Sequence, residues 1–192
     1  AQCLVGSEMC IRDSYTGQQK ATQARGRVEF CVITFDDDAR VLVPFGPAYD
    51  YEVPRFDCDG MTAMHAAVEL GLNELEARKQ QYKANCTSYF RPWMFMLTDG
   101  GANDEDNGSF ERLIQAQQGK HCTFFPVGIG NEVDKELLKK LKLEGYILTA
   151  SKENFQNAFV WLSNSVSQTS NTHPGQKVKL DNPVEYQMEV EA

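Results

Sequence analysis

Arg91-Pro-Trp-Met-Phe-Met-Leu-Thr-Asp-Gly-Gly101 is the stretch that decides the fold. An apolar run from Trp93 to Leu97 stops at Thr98, Asp99 and two glycines. A run this short, closed by a turn signal, is a buried strand entering a tight loop. Strands apolar on both faces belong to sheets covered by helices on both sides.

Upstream, Asp59-Gly-Met-Thr62 precedes a helical pattern in which Met64, Ala67, Val68, Leu72 and Leu75 form the inner stripe. Glu69, Glu74, Glu76, Arg78 and Lys79 are its polar positions, and the helix is expected to end near Tyr82. Further upstream, Phe30-Cys-Val-Ile-Thr-Phe35 is β-branched and aromatic, as a covered strand should be. Asp36-Asp-Asp38 then reads as a hairpin turn into Ala39-Arg-Val-Leu-Val43.

Downstream, Ser109 is expected to cap a helix with Phe110, Leu113 and Ile114 inside, closed by Gly119. His121 to Val127 is the next strand and ends at Gly128-Ile-Gly130. Asp134 caps a helix carrying Leu137, Leu138 and Leu141 inward, with Glu136 early and Lys139, Lys140 and Lys142 late, as the helix dipole favours. Gly145-Tyr-Ile-Leu148 is a short strand. Ser151 opens a last helix with Phe155, Ala158, Phe159, Leu162 and Val166 on one face. Beyond Ser167 the chain turns polar, and Val178, Leu180 and Val184 are placed to pack back on the domain. Alternating strands and helices imply an α/β fold, a mostly parallel sheet with one antiparallel edge strand.

The chain has 192 residues, a formal net charge of -8 and 42% hydrophobic residues. That is enough for one domain with a sizeable core. An acidic surface repels phosphate backbones, which argues against nucleic acid as a partner. No apolar run is long enough to span a bilayer, and the first residues do not read as a signal peptide. The six cysteines form no Cys-x-x-Cys pair, and Cys31 and Cys122 lie in apolar strand runs. They read as free thiols of a reducing cytoplasm.

Ligands of open α/β sheets bind beyond the carboxyl ends of the strands. Thr62 and Asp99 fall there and offer the hard oxygens that Mg²⁺ and Ca²⁺ prefer. Both also have plainer roles, Thr62 as a helix cap and Asp99 as a turn residue. His65 reads as a surface or satisfied histidine.

Residues 27–165 resemble a von Willebrand factor A-type (VWA) domain, most closely the bacterial VWA proteins of tellurium-resistance and related stress operons. The likeness rests on Val32 to Val41, Asp59-Gly-Met-Thr62, Arg91 to Gly100, Phe124-Phe-Pro-Val-Gly-Ile-Gly130 and Phe159-Val-Trp-Leu-Ser163, in that order. It implies a three-layer, Rossmann-like fold and a metal-ion-dependent adhesion site. That site takes Asp-x-Ser-x-Ser from the first strand, a Thr from a later loop and an Asp ending the fourth strand. Thr62 and Asp99 match the last two. The resemblance further implies Mg²⁺, Mn²⁺ or Ca²⁺ with one position left for a protein partner's carboxylate, hence a binding module rather than an enzyme.

The chain departs from the pattern at its start. It has no Asp-x-Ser-x-Ser, and Asp13-Ser-Tyr-Thr16 has the wrong spacing. Ser7-Glu-Met-Cys-Ile-Arg-Asp-Ser14 resembles a translated sequencing-adapter remnant. The expectation is therefore a truncated or partly foreign segment 1–26, a VWA domain 27–168 and a C-terminal extension 169–192. Either Cys3-Leu-Val5 fills the place of the first strand, or the sheet has a gap. Two other functions set different requirements. A Mg²⁺-dependent phosphoryl-transfer domain needs a Gly-rich phosphate loop, and Gly128-Ile-Gly130 is too short for one. An extracellular adhesion domain calls for paired cysteines or a secretion signal.

Overall fold

A computed structural model describes residues 2–4, 28–47, 61–131, 133–144, 147–151, 156–173, 176, 178–186 and 188–191. Among them the strands are β1 (Gln2–Leu4), β2 (Glu29–Phe35), β3 (Ala39–Pro47), β4 (Trp93–Thr98), β5 (Thr123–Ile129), β6 (Ile147–Ala150) and β7 (Glu189–Glu191). The helices are α1 (Met64–Ala84), α2 (Ser109–Gln118), α3 (Lys135–Leu141) and α4 (Gln156–Ser170), with a 3-10 turn at Pro183–Tyr186.

The strands form one seven-stranded sheet in the order β3-β2-β1-β4-β5-β6-β7. β2, β1, β4, β5 and β6 run parallel, and β3 pairs antiparallel with β2 through the Asp36–Asp38 turn. β1 fills the central slot, with Cys3 level with Cys31 on one side and Met94 on the other. The Ser7–Ser14 stretch lies outside the described residues.

Both faces of the sheet are buried, which gives the three-layer, Rossmann-like arrangement. Side chains of Cys31, Ile33, Met94, Met96 and Phe124 alternate toward α1, α2 and α3. Val32, Phe95, Leu97, Phe125 and Val127 point the other way, toward α4 and the C-terminal segment. The period-2 alternation of each strand thus feeds two separate cores. On the α4 face Phe95 stacks on Phe125 at 4.6 Å, and Trp161 meets both rings edge-on at 6.3 and 5.8 Å.

The α1 stripe is buried as its spacing requires, but Lys79 is buried with it rather than lying on the polar face. Ser109 is not a cap. It is the first helical residue of α2, its hydroxyl 3.4 Å from His65 Nδ1, while Gly108 holds the cap position at φ 77°. A side chain there would strain the left-handed backbone, which is why glycine takes the place. Asp134 does cap α3, accepting from the Leu137 amide at 2.9 Å. Ile147–Ala150 forms the expected short strand, while Gly145, Tyr146 and residues 152–155 lie outside the described residues.

The C-terminal segment adds a second antiparallel edge strand, β7 on β6, which the sequence pattern did not announce. Leu180 and Tyr186 pack against the α4 core and Met188 is buried in it, whereas Val184 stays exposed. Trp161 Nε1 donates to the Asp181 carbonyl at 2.9 Å. The Asp181 carboxylate accepts from Gln168 and from Tyr186 and is held below its usual range, chiefly by the Gln168 amide.

At the far end of α1, Arg78 grips Glu29 of β2 with two nitrogens at 2.8 and 2.7 Å, and the Tyr82 hydroxyl donates to the same carboxylate. A bidentate, partly buried pair of this kind fixes helix to strand more firmly than an exposed one.

Two measurements test this packing. Phe95→Ala removes the ring shared by the aromatic group and should cost about 3–5 kcal/mol in denaturant unfolding; a loss near zero would mean the α4 face is loosely packed. Burial, reinforced by Glu29, pushes the Tyr82 phenol up to about 12. Its folded value exceeds the ordinary one, so its contribution is whole below about pH 10 and fades as pH rises toward about 12. Melting temperature across that window should fall more steeply for the native chain than for Tyr82→Phe; parallel curves would refute the coupling.

Candidate functional site

The strand order reverses direction between β1 and β4, and the crevice of such a sheet opens there, beyond the carboxyl ends. Four segments meet at that edge. They are the Asp36–Asp38 turn after β2, the Met61–Ala63 entry to α1, the Asp99–Asp104 loop after β4 and the Val133–Asp134 entry to α3.

Backbone hydrogen bonds tie these segments together. The Ala63 amide donates to the Asp36 carbonyl at 2.9 Å, and the Asn103 amide donates to the Thr62 carbonyl at 3.0 Å. The Met61 amide donates to Asp37 Oδ1 at 2.9 Å. The third and fourth loops pass close to one another, the Cβ position of Gly101 lying 3.5 Å from the Asp134 side chain. Thr98 Oγ1 accepts from the Gly100 amide at 3.3 Å and shapes the turn that carries Asp99.

The N-terminus of α1 has no local side-chain cap, since Ala63 occupies that position. Asp104 supplies one from a distance. Its two carboxylate oxygens accept from the His65 and Ala66 amides at 3.1 and 2.9 Å. A carboxylate across a helix N-terminus satisfies otherwise orphaned donors and complements the dipole. The next residues lock the same corner: His65 is buried, stacked on Phe110 at 3.7 Å, with Asp106 Oδ1 3.6 Å from Nδ1. It is a satisfied histidine.

Thr62 and Asp99 therefore share an edge. The Thr62 hydroxyl lies 3.8 Å from the Cβ position of Gly100, the residue directly after Asp99. Asp99 is exposed, and no hydrogen bond or ion pair engages it among the described residues. Thr62 is not the helix cap. Its carbonyl serves the Met64 and Asn103 amides, and its hydroxyl is unengaged among the described residues. Asp59 lies outside the described residues. The sequence offers Asp104, like Asp36, only as a neighbouring acid that nothing local fixes at the site, and Asp134 only as a helix cap. Their one local signal is placement, Asp134 before a helix and Asp104 in a polar loop, and only the fold brings Asp104 to α1.

A hexacoordinate cation such as Mg²⁺ needs several oxygens in fixed geometry. The carboxylates of Asp37, Asp104 and Asp134 are already engaged by backbone amides. Among the described residues no group of three or more His, Cys, Asp or Glu side chains is arranged to hold a metal. Thr62 and Asp99 alone thus fit part of a cation site and not a whole one.

A covered parallel sheet with antiparallel edges, and a Thr and an Asp on neighbouring loops at its carboxyl edge, define a class of Rossmann-like binding domain. The von Willebrand factor type A family model matches residues 18–169, and the chain belongs to that family. Among solved structures, a von Willebrand factor type A protein from Catenulispora acidiphila is 20% identical, with TM-score 0.60 over 87% of this chain and 42% of its own. Manganese-loaded TRAP protein from Plasmodium vivax is 15% identical, with TM-score 0.53 over 84% of this chain and 71% of its own. Proximal thread matrix protein 1 of the mussel byssus, with a zinc-occupied MIDAS motif, is 13% identical, with TM-score 0.51 over 86% and 46%. At such identities the likeness carries the fold. The chain spans less than half the length of the first of these. Among curated proteins no match is found. No helix among the described residues is long and apolar enough to cross a membrane.

Asp104→Ala removes two charge-assisted bonds to α1 and should destabilise the fold by about 1–2 kcal/mol, read by denaturant unfolding. Asp104→Asn, which keeps one acceptor, should cost less. Equal losses would mean that the neutral acceptor left by Asp104→Asn contributes nothing and that the charge carries the whole interaction.

Proposed function

We propose that this domain is a protein-binding module of the VWA type and not an enzyme. Its contact surface is the carboxyl edge of the sheet. The observation that carries this reading is the approach of the Thr62 hydroxyl to the turn holding Asp99, at the crevice where such sheets bind ligands. Thr62 and Asp99 are the residues assigned to a divalent cation, Mg²⁺ or else Mn²⁺ or Ca²⁺, with a partner's carboxylate as the other party. The manganese-loaded TRAP protein and the zinc-occupied thread matrix protein, which share this fold, support a cation at this edge. The sequence likeness to tellurium-resistance VWA proteins supports a bacterial stress-response setting in the cytoplasm.

The chain as it stands holds the cation weakly, because two oxygens do not offset the dehydration of Mg²⁺. Titration calorimetry with Mg²⁺ and Mn²⁺ should give dissociation constants no tighter than about 1 mM. Placing Asp-x-Ser-x-Ser after β1 should tighten binding at least about tenfold, and a glutamate-bearing peptide should then bind only with the metal present. Tight binding unaffected by Asp99→Ala and Thr62→Ala would overturn the assignment of these two residues.

A further inference from the structure

Lys79 continues the inner stripe of α1, one turn beyond Leu75, and its side chain is only 10% exposed. Its sole ion-pair partner among the described residues is Glu76, with Nζ 3.7 Å from a half-exposed carboxylate and beyond hydrogen-bond reach. Burying an ammonium with so little compensation is costly unless something else meets it. The head group opens into a cleft of about 350 Å³ floored by Leu72, Leu75, Ala116 and Cys122. A second hollow of about 280 Å³ shares Glu76, Lys79 and His121 with the first and adds Lys83, Arg91 and Lys120.

This double cleft is cationic on a chain whose net charge is -8. Arg91 is paired with Glu144 at 3.2 Å and Arg112 with Glu69 at 3.4 Å, but Lys83 and Lys120 have no ion pair among the described residues. The cleft lies at the amino ends of β4 and β5, since Pro92 and Cys122 directly precede those strands. The length of β4, about 20 Å at 3.3 Å per residue, separates it from Asp99. Burial pushes the Cys122 thiol up to about 11, so the floor is uncharged.

We infer that this cleft binds a phosphate monoester. The phosphoryl oxygens accept from Lys79 Nζ, Lys83 and Lys120 close on the dianion, and the organic body lies on Leu72, Leu75 and Ala116. A phosphate fits better than a single carboxylate. It brings nearly two charges and three acceptor oxygens to an ammonium with three donors and two further lysines beside it. The space exceeds what a bare anion fills, and the apolar floor suits a ligand with a carbon skeleton.

The test is amide NMR on the full chain, without divalent cations, titrated with inorganic phosphate, O-phosphoserine, serine and a phosphoserine peptide. The phosphorylated probes should saturably shift the amides of Lys79, Lys83, Lys120 and His121, and serine should not. Tighter binding of the peptide than of O-phosphoserine assigns the site to a phosphorylated protein; equal binding assigns it to a small organic phosphate. Lys79→Met keeps the buried stem and should weaken O-phosphoserine at least about tenfold. If that variant fails to fold, Lys83→Gln with Lys120→Gln, both at exposed positions, should weaken it severalfold with spectra otherwise unchanged. Absence of saturable shifts, equal shifts with serine, or unchanged affinity in the variant that folds would overturn the proposal.

Discussion

A parallel strand has hydrogen-bonding groups on both of its edges, and each must find a partner once buried. β2 and β4 cannot pair with one another directly here. β1 stands between them, level with Phe30 to Val32 on one side and Trp93 and Met94 on the other. Everything else in the domain follows from that placement. It makes the strand order reverse at the centre of the sheet, and it aims β2 and β4 so that their following loops emerge side by side.

The carboxyl edge is held by polar bonds between loops as well as by side-chain packing such as His65 on Phe110. Asp37 ties the β2–β3 turn to the α1 entry, and Asp104 ties the β4 loop to the same helix. These carboxylates are committed to amides, so Thr62 and the exposed Asp99 sit on loops held in a fixed frame. A binding edge needs this kind of support, because a contact residue on an untethered loop would pay its ordering entropy on every encounter. The opposite edge has another character, with lysines gathered around an apolar floor. Opposite charges are thus sorted to opposite ends of the same strands.

Much of this was legible in the sequence. The Trp93–Leu97 and Cys122–Val127 runs are long enough to specify strands, and the stripe from Met64 to Leu75 specifies a helix face. Thr62 and Asp99 were marked by position, each beside a helix start or strand end, and the fold does bring their loops together. Other features were invisible for physical reasons. β7 is three residues, too short for any period to register, and β1, equally short, was open only as one of two alternatives, Cys3-Leu-Val5 in the central slot or a gap there. Lys79 sits at a core position of the helical spacing but is charged, so residue type outvoted register. Ser109 has the chemistry of a cap, yet its hydroxyl faces His65 and the left-handed turn falls to Gly108. Asp104 acts on amides 38 and 39 residues away, which no local pattern encodes.

The central strand also bears on how the chain reaches this state. β1 pairs Gln2 with Trp93, so the middle rung of the sheet closes a loop nearly half the chain long. The β2–β3 hairpin and the β4-α2-β5 unit are local and close at small entropic cost, while joining them through β1 must wait for a distant segment. Until it arrives, the inner edges of β2 and β4 are both open, apolar and unpaired. Such edges are templates for strands of other molecules. The three residues that complete the sheet are thereby also its guard against association during folding, and the most vulnerable moment comes just before they dock.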